Sequence, residues 1–426
     1  MKSEILTAGA LVVACSSFGA GFQVLEQGAS NIGSALAGAT ANASGDSSAA
    51  FWNPSAAFFS GIEEGEIRAD ASFAIVTPFI DFEGSATNSG KPVSGNDGGN
   101  AGEVAYVPNF FSVYRFSENF IFSFSSTATY GLETDYDDNW VGRYMALNSN
   151  LATIDLNPSL AWRVNDWFSV SAGPAVNWIH AYLTQAYNPG FLLSMPDGRV
   201  RFSGDDFAVG ATAGFAIKYA EGGRFSAAWR SEVSHHIEGN ARIDYAPASI
   251  YGKLMPIECD LTLPQTVNAG IYQRLWGDLD RFAVMADYAW TGWSCFQTLD
   301  ICDKGGGTFG GSTPVQEKWK DTSRVSVGFH YYPDFDENLV FRFGTTWDES
   351  PVRDAEHRTA RIPCSDRIWI AGGVGYTYEN ISVNFGYMYI LFYNDSPIAH
   401  TQDANTLTGT YSGDAHVFSL QVGIKL

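Results

Sequence analysis

The side chains that could carry out covalent chemistry are few and scattered along the chain. No serine stands in the GxSxG arrangement of a nucleophile elbow. A catalytic site needs a nucleophile, a base and an orienting group close together. The histidines show no such grouping, because they occur at His180, His235, His236, His330, His357, His400 and His416. The sequence therefore predicts a protein that is not an enzyme and uses no cofactor.

The N-terminus has the composition of a secretory leader. Lys2 precedes a short apolar run from Ile5 to Ala14, and small residues follow at Ser17 and Gly19. We expect residues 1–19 to be a signal peptide that is cleaved after Gly19. The alternative is a lipoprotein, since residues 12–15 loosely resemble a lipoprotein processing box in which Cys15 would be lipidated instead of removed.

Four cysteines remain after the leader, at Cys259, Cys295, Cys302 and Cys364. An even number in an exported chain permits two disulfides, with three possible connectivities. The closeness of Cys295 and Cys302 favours that pair, which would leave Cys259 with Cys364. The spacing lacks the CxxC or histidine pattern of a zinc site, so no metal site is expected.

Most of the chain consists of short alternating runs, which predict an all-β protein. In the last run Phe418, Leu420, Val422, Ile424 and Leu426 fall on one face and polar residues on the other. Period two over about ten residues is typical of a membrane-spanning strand with an apolar exterior. A soluble sandwich would give the same alternation, but the leader, the Trp and Tyr near run ends and the lack of helical patterns favour an antiparallel transmembrane β-barrel in the bacterial outer membrane.

The charge and the chain end indicate partners of such a barrel. Acidic residues outnumber basic ones 46 to 25, for a net charge of −21, which argues against nucleic acid as a partner. We expect contact with outer-membrane lipid and with lipopolysaccharide, whose phosphates could share divalent cations with acidic loops. The terminal apolar residue Leu426 suits recognition by the barrel assembly machinery.

Residues 20–61 differ from everything that follows them. They are rich in Ala, Gly and Ser and show no alternation. Small residues bury little apolar area, so this segment can be ordered only if other parts of the protein enclose it. We expect residues 20–61 to form a plug inside the lumen and residues 62–426 to form the barrel. Four segments are predicted to be long outer loops, namely Asp81–Glu103, Ala186–Asp206, Tyr245–Asp260 and Asp303–Gln316.

Several stretches together resemble the FadL family of outer-membrane transport proteins for long-chain fatty acids and other hydrophobic compounds. The resemblance starts at Gly21-Phe22-Gln23 and reaches the family's hatch signature at Phe51-Trp52-Asn53-Pro54-Ser55, where Ser55 replaces the usual Ala. It continues in the family's order over nearly the whole mature chain through Val107-Pro108-Asn109, Tyr130-Gly131-Leu132, Leu263-Pro264-Gln265, Asp348-Glu349-Ser350-Pro351 and Ile362-Pro363-Cys364.

The resemblance implies a barrel of about fourteen strands that is blocked by an N-terminal hatch. It also implies ligand-gated passive diffusion, in which the ligand leaves sideways into the membrane at an inward kink of the third strand. Tyr130-Gly131-Leu132 is similar to that kink. The moving part of the hatch would be Phe51, Trp52, Asn53, Pro54 and Ser55.

The ligand is less well defined than the route. Fatty-acid transporters of this family are expected to present bases to the carboxylate, and the candidates here are Arg143, Arg163, Lys320 and Arg324, with the neutral His180 and Gln185 in the region where a pocket base is sought. Long-chain fatty acids are the predicted cargo. The alternatives are uncharged aromatic or aliphatic hydrocarbons taken up by the same route and, less favoured, a general porin or an outer-membrane lipid hydrolase.

Overall fold

The computed structural model describes residues 20–188, 197–244, 252–305, 307 and 309–426. The predicted signal peptide, residues 1–19, lies outside the described residues together with Cys15. Within these ranges the α-helices are single turns, α1 (Ala29–Ile32) and α2 (Ala49–Trp52). No helix in the described part is long and apolar enough to cross a membrane. Short 3-10 turns occupy Pro54–Phe59, Gly277–Leu279, Trp293–Cys295 and Phe309–Gly311.

Strands make up most of the molecule. In chain order they are β1 (Ile67–Asn88), β2 (Lys91–Pro92), β3 (Ala105–Ser117), β4 (Phe120–Thr127), β5 (Gly131–Asp135), β6 (Asn148–Asn165), β7 (Phe168–Tyr187), β8 (Gly198–Ala220), β9 (Gly223–Arg230), β10 (Val233–Asp244), β11 (Leu254–Leu263), β12 (Thr266–Arg274), β13 (Phe282–Thr291), β14 (Thr298–Leu299), β15 (Cys302–Asp303), β16 (Val315–Gln316), β17 (Thr322–Tyr331), β18 (Leu339–Asp348), β19 (Arg367–Tyr378), β20 (Ile381–Phe392), β21 (Ser396–Gln402) and β22 (Asn405–Lys425).

The strands close into a barrel. Each is antiparallel to its neighbours, and β1 pairs with β22 in an unbroken register from Arg68↔Lys425 to Asn88↔Asn405. Four of the full-length barrel strands are split into two segments each: β4 with β5, β9 with β10, β11 with β12, and β20 with β21. Counted this way the barrel has fourteen strands, which confirms the predicted fold.

The two faces of the strands have the chemistry expected for a membrane barrel. On β22, Phe418, Leu420 and Val422 are exposed, whereas Ser419 and Gln421 between them are buried. Exposed apolar side chains alternate with buried ones in this way on most barrel strands, which is the pattern of a lipid-facing exterior around a polar interior.

The predicted long loops were placed too widely. β1 runs on to Asn88, β8 begins at Gly198, β11 begins at Leu254 and β16 occupies Val315–Gln316, so parts of all four predicted loops are paired strand. A tilted strand needs only ~9–11 residues to cross a bilayer, and β1 has 22. The strands therefore project beyond the membrane, where polar and glycine-rich sequence is compatible with pairing. Short turns such as residues 118–119 and 166–167 lie at the opposite end of the barrel.

Residues 20–61 are almost entirely buried, and their walls are the barrel strands. Their main chain lies so close to β18 and β19 that a Cβ on Gly344 would collide with the carbonyl of Ser34, and one on Gly373 would come within 2.8 Å of the Gly33 Cα. Small residues on both sides make this approach possible.

Charged residues of the barrel also bind the backbone of this segment. Asp287 on β13 accepts hydrogen bonds from the main-chain N–H of Gly38 and, at 3.0 Å, of Thr40. Arg224 on β9 donates to the carbonyls of Ala41 and Asn42. Because a short irregular segment cannot satisfy its own polar groups, such contacts replace secondary structure.

Replacing Asp287 by Ala should loosen the segment without unfolding the barrel. The N–H groups of Gly38 and Thr40 would lose their acceptor, at a cost of about 1–3 kcal/mol for buried donors. We expect faster amide hydrogen exchange in residues 34–44, measured by mass spectrometry. The matched control is Asp278→Ala, because Asp278 lies in an exposed turn. Equal exchange in the two variants would contradict the assignment.

Candidate functional site

The third strand of the barrel, formed by β4 and β5, is interrupted. Its first part, β4, pairs with β3 on one side and β6 on the other. The second part, β5, pairs with β6 and meets the residues before β3 only at a single bridge, Gly102↔Thr134. The interruption covers residues 128–130. The pairing between β3 and β4 ends just before it, at Phe110↔Ser126. Thr153 on β6 fixes the new direction, because its Oγ1 accepts from the Tyr130 N–H at 2.9 Å and donates to the Tyr130 carbonyl at 2.7 Å.

Residues 22–27 occupy the place of the missing strand partner. The Val24 N–H donates to the Thr129 carbonyl at 2.9 Å, and the Gly131 N–H donates to the Phe22 carbonyl at 2.9 Å. Gln27 Nε2 donates to the Ala128 carbonyl at 2.6 Å. The main chain at the interruption is thus satisfied by the N-terminal segment instead of by β3.

This geometry shifts the kink predicted from the sequence. Tyr130 belongs to the interruption, whereas Gly131 and Leu132 are the first residues of the resumed strand β5. Gly131 is not among the described residues with positive φ. The change of direction therefore depends on the Thr153 hydroxyl and on residues 22–27, not on the conformational freedom of glycine.

An apolar cavity lies above the interruption, at the end of the barrel that carries the long loops. Its volume is about 80 Å³. Its walls come from the strands and from the loop between β13 and β17, and they include Leu132, Leu151, Leu183, Phe202, Ile237, Ile257, Leu261, Phe296, Leu299 and Ile362. We call it the outer cavity.

Two buried ionisable side chains, Arg361 and Glu317, line the outer cavity, and both come from loops. Arg361 donates from Nη1 to Ser149 Oγ at 3.0 Å and from Nη2 to Gln185 Oε1 at 2.8 Å. Burial lowers the pKa of Arg361 to about 10, a shift that the charge of Glu317 opposes. Its guanidinium stays protonated at neutral pH and supplies a fixed positive charge at an apolar surface.

Glu317 is held in its neutral form beside that charge. Burial raises the pKa of the Glu317 carboxyl to about 8, although hydrogen bonds from Trp319 and Thr359 and the charge of Arg361 lower it. Trp319 Nε1 donates to Glu317 Oε2 at 3.0 Å. At pH 7 the carboxyl is mostly protonated, so it does not cancel the positive charge of Arg361.

A second, smaller cavity, the inner cavity, lies beside the interruption and has a volume of about 40 Å³. It is lined by Val24, Phe51 and Trp52 of the N-terminal segment, by Tyr130 and by Arg230. Arg230 Nη1 pairs with Asp155 Oδ1 at 2.9 Å, and the guanidinium lies 5.0 Å from the centre of the Phe51 ring. Its Nη2 is buried and has no hydrogen-bond partner among the described residues.

Phe22 stands between the two cavities. Its ring lines the outer cavity, while the next residue, Gln23, lines the inner one. The ring packs edge to face against Trp293 at 4.8 Å and against Tyr130 at 5.9 Å. The residues before it are anchored to the outer loops and β18, since the Gly21 N–H donates to Cys364 Sγ at 3.4 Å and the Ala20 N–H donates to the Asp348 carboxylate.

Comparison with known proteins decides the family. The sequence model of outer membrane transport proteins (OMPP1/FadL/TodX) matches residues 10–425. The chain belongs to the FadL/TodX family. A long-chain fatty acid transport protein of Salmonella typhi is 28% identical over 418 residues, covering 91% of each chain.

Solved structures support the same fold. The chain is similar to a Pseudomonas aeruginosa FadL homologue, with a TM-score of 0.85, 24% identity and coverage of 95% of this chain and 99% of the other. It is also similar to the Pseudomonas putida toluene transporter TodX, with a TM-score of 0.61, 14% identity and coverage of 88% and 93%.

The hatch signature of this FadL/TodX protein is fastened to the barrel wall. Asn53 Nδ2 donates to the carbonyls of Phe215 at 3.0 Å and Ala227 at 3.2 Å. Its Oδ1 accepts from the Ser55 N–H at 3.2 Å and from Ser55 Oγ at 2.6 Å. Pro54 opens the following 3-10 turn, where its missing N–H costs nothing. Ser55 thus adds a hydrogen bond that an alanine at this position could not make.

The ligand-binding candidates from the sequence mostly lie elsewhere. Arg143 pairs with Asp197 in the outer loops, and Arg163 lies at the opposite end beside Glu118 and Asp166. Lys320 pairs with Glu349 at 2.7 Å. His180 stacks on Trp178 at 6.1 Å, on the strand face opposite the buried Ile179. None of these four is among the residues that line either cavity.

Gln185 is the exception, because it binds the cavity arginine. Arg361 itself was missed by sequence reasoning, although it directly precedes Ile362-Pro363-Cys364, which carries part of the resemblance. Its loop position gives no periodic signal. The neutral Gln185 on β7 was a usable clue, since its partly buried amide oxygen needs a donor.

The disulfides expected from the sequence are not formed in the structure, where all four cysteines are free. Cys302 lies on β15, opposite Glu258 of β11, and is therefore next to Cys259 in the sheet and not paired with Cys295. Cys295 Sγ contacts the Thr262 carbonyl at 3.4 Å. Cys364 is buried, where it accepts hydrogen bonds from Gly21 and from Ser350 at 3.1 Å. Sequence proximity was a poor guide because the β11–β15 pairing decides the neighbours.

Replacing Asn53 by Ala should detach the hatch signature from β8 and β9. Two wall carbonyls lose their donor and the Ser55 groups lose their acceptor, so we expect destabilisation of about 1–3 kcal/mol. Hydrogen exchange of residues 48–60 should accelerate strongly. Ser55→Ala is the matched control and should change exchange only slightly, since Asn53 keeps its wall contacts. Similar effects of the two substitutions would contradict this account.

Proposed function

We propose that this protein takes up long-chain fatty acids across the outer membrane by ligand-gated passive diffusion, with lateral release into the bilayer. The observation that carries the proposal is the outer cavity, an apolar space with the buried guanidinium of Arg361 at its wall, where the partly exposed Glu258 is the other charged residue beside Glu317. An amphiphile with a long hydrocarbon tail and an anionic head fits that combination. Membership of a transport family supports a channel over an enzyme.

The outer cavity provides the energy for capture. Each methylene removed from water contributes ~0.8 kcal/mol, so a long acyl chain binds tightly to apolar walls without further contacts. The carboxylate would accept hydrogen bonds from Arg361, whose planar guanidinium suits it. Gln185 and Ser149 position that guanidinium.

Phe22 is the proposed gate between the cavities. The loop that carries Arg361 also carries Cys364, which accepts the Gly21 N–H. A ligand that pulls on Arg361 therefore acts on the residues next to Phe22. Movement of Phe22 away from Trp293 and Tyr130 would join the outer cavity to the inner one, where Phe51 and Trp52 form the next wall.

The interruption at residues 128–130 is the proposed side exit. Only residues 22–27 pair with this stretch on the side from which β3 has withdrawn, so a shift of these residues would open the wall towards the lipid. Release into the bilayer keeps the acyl chain out of bulk water. The segment 20–61 would meanwhile keep the lumen closed to hydrophilic solutes, unlike a general porin.

Arg361→Gln should lower oleate affinity about tenfold or more, because a charge-assisted hydrogen bond contributes about 1.5–3 kcal/mol. Toluene affinity should not change. Fluorescence competition on purified protein measures both. Arg163→Gln is the control, since Arg163 lies at the far end of the barrel. If Arg361→Gln binds oleate like the wild type while toluene binds saturably, the cargo is an uncharged hydrocarbon.

Oleate affinity should also fall as the pH rises through about 8. Glu317 is neutral below its pKa of about 8; above it, the new carboxylate repels the ligand and competes for Arg361. Titration between pH 6.5 and pH 9.5, a range chosen to bracket that pKa, should show the decline in wild type and not in Glu317→Gln. Toluene binding should be independent of pH. A decline that persists in Glu317→Gln would exclude Glu317 as its source.

Rapid swelling of proteoliposomes in arabinose would overturn the plugged-channel proposal in favour of a general porin. Slow swelling together with oleate uptake would support it. Mass spectrometry of hydrophobic molecules that copurify with the protein identifies the natural cargo directly.

A further inference from the structure

A third cavity, the periplasmic cavity, lies between the N-terminal segment and the barrel wall at the end opposite the long loops. Its volume is about 340 Å³. Residues 44–46 form one side, and the other sides come from β1, β18, β19, β20 and β22 and from the turn of residues 379–380. One water needs only ~10–15 Å³ of such space, so a small hydrated ion fits. None of these residues lines the outer or the inner cavity.

Arg342 on β18 lines the periplasmic cavity and lacks a counter-ion. Its side chain is buried, with 4% of the residue exposed. Nε and Nη1 are enclosed by protein and have no hydrogen-bond partner among the described residues. Nη2 is not enclosed in this way, so it is the nitrogen that meets the cavity. Because a guanidinium keeps its charge in proteins, burial without a partner costs free energy that a bound anion would restore.

Asn384 on β20 brings a second polar group to the same place. It is 5% exposed and lines the same cavity. Gly375 on β19 lies between it and Arg342, since Gly375 is paired with Asn384 on one side and with Val340 of β18 on the other. A Cβ on Gly375 would lie 2.4 Å from Asn384 Oδ1, 2.5 Å from Arg342 Nη1 and 3.0 Å from Arg342 Nη2. The amide and the guanidinium therefore flank one point, which only a glycine leaves open.

The acidic side chains at the cavity are already engaged. Asp46 and Asp70 share the amide of Gln421, whose Nε2 donates to each of them at 2.9 Å. Both also accept hydrogen bonds from serine hydroxyls. Asp46 lies near Arg342 but forms no ion pair with it. The third acid on the wall, Glu379, is exposed in the turn.

The other two bases on the wall are engaged as well. Arg68 and Lys425 both pair with Glu66, at 2.9 Å for Lys425 Nζ. Arg68 also donates to the main-chain carbonyls of Gly45 and Gly61. With three acids and three bases on the wall, the cavity offers an anion no excess of charge. It offers the one guanidinium on this wall that has no partner.

We propose that Arg342 and Asn384 bind a small oxyanion, a phosphate or a short carboxylate, from the periplasm. Oxyanions accept strong hydrogen bonds from a guanidinium, and an amide nitrogen supplies a further donor. The anion would occupy the space above Gly375 and give Arg342 its missing counter-ion.

The test is calorimetric titration of the purified full-length protein with inorganic phosphate and, in a second arm, with acetate. We expect saturable binding that Arg342→Gln weakens about tenfold or more, because it removes a charge-assisted hydrogen bond. Gly375→Ala should weaken it similarly, since the new Cβ fills the space between two side-chain ends. Binding of phosphate alone would identify a phosphate site, and binding of both ions a general oxyanion site.

Melting temperatures separate this role from a structural one. Phosphate should raise the melting temperature of the wild type, since it binds the folded form, and should not raise that of Arg342→Gln. Without an oxyanion, Arg342→Gln should melt no lower than the wild type, because it removes a buried charge that has no partner. A lower melting temperature would show that Arg342 stabilises the barrel by itself and would contradict the proposal.

Arg163→Gln is the matched control, because Arg163 lies at the same end of the barrel, pairs with Glu118 and Asp166, and does not line the cavity. It should bind the oxyanion like the wild type. Absence of saturable binding of either ion by the wild type would overturn the proposal, and so would unchanged affinity in Arg342→Gln. Because the site shares no residue with the outer or the inner cavity, neither result bears on fatty-acid uptake.

Discussion

The constraint on which this structure depends is that every main-chain N–H and C=O inside the membrane must find a partner within the protein. A closed barrel meets it everywhere except where a strand leaves its neighbour. At residues 128–130 the third strand leaves its neighbour β3, and residues 22–27 provide the replacement hydrogen bonds. The N-terminal segment therefore completes the barrel wall as well as filling its interior.

That double role couples the interior to the wall. If residues 22–27 move, the carbonyls of Ala128 and Thr129 lose partners at a depth where no water replaces them, which costs several kcal/mol. The gating proposal therefore requires the open form to be a minor state that binding energy stabilises. In that proposal an acyl chain in the outer cavity supplies the energy and acts on Phe22.

Burial has opposite consequences for the two ionisable groups of the outer cavity. The guanidinium of Arg361 keeps its charge because Ser149 and Gln185 accept its hydrogen bonds. The Glu317 carboxyl receives hydrogen bonds from Trp319 and Thr359 but is neutral at pH 7, since desolvation outweighs them. The outer cavity thus keeps the buried positive charge of Arg361 at an apolar wall, the charge that the proposed head-group contact uses, while the partly exposed Glu258 also lines the cavity.

The alternation of residues such as Phe418, Leu420 and Val422 predicted the barrel, because a strand between lipid and lumen must change polarity at every residue. The composition of residues 20–61 predicted a segment without a core of its own. These features are local, so a single sequence contains them. That Phe51 to Ser55 form the moving part of the hatch stays a prediction from the resemblance.

Other features depend on which segments meet. The sequence placed the kink at Tyr130-Gly131-Leu132 by the presence of glycine, but the break is set by the Thr153 hydroxyl and by residues about a hundred positions upstream. Arg361 joins the outer cavity only because β6 and β7 supply acceptors for its guanidinium. The sequence alone determined the strands and their lipid-facing exterior, since these follow from periodicity. The break at residues 128–130, the arginine at the cavity wall and the cysteine neighbours were decided by tertiary structure, because contacts between distant residues create them.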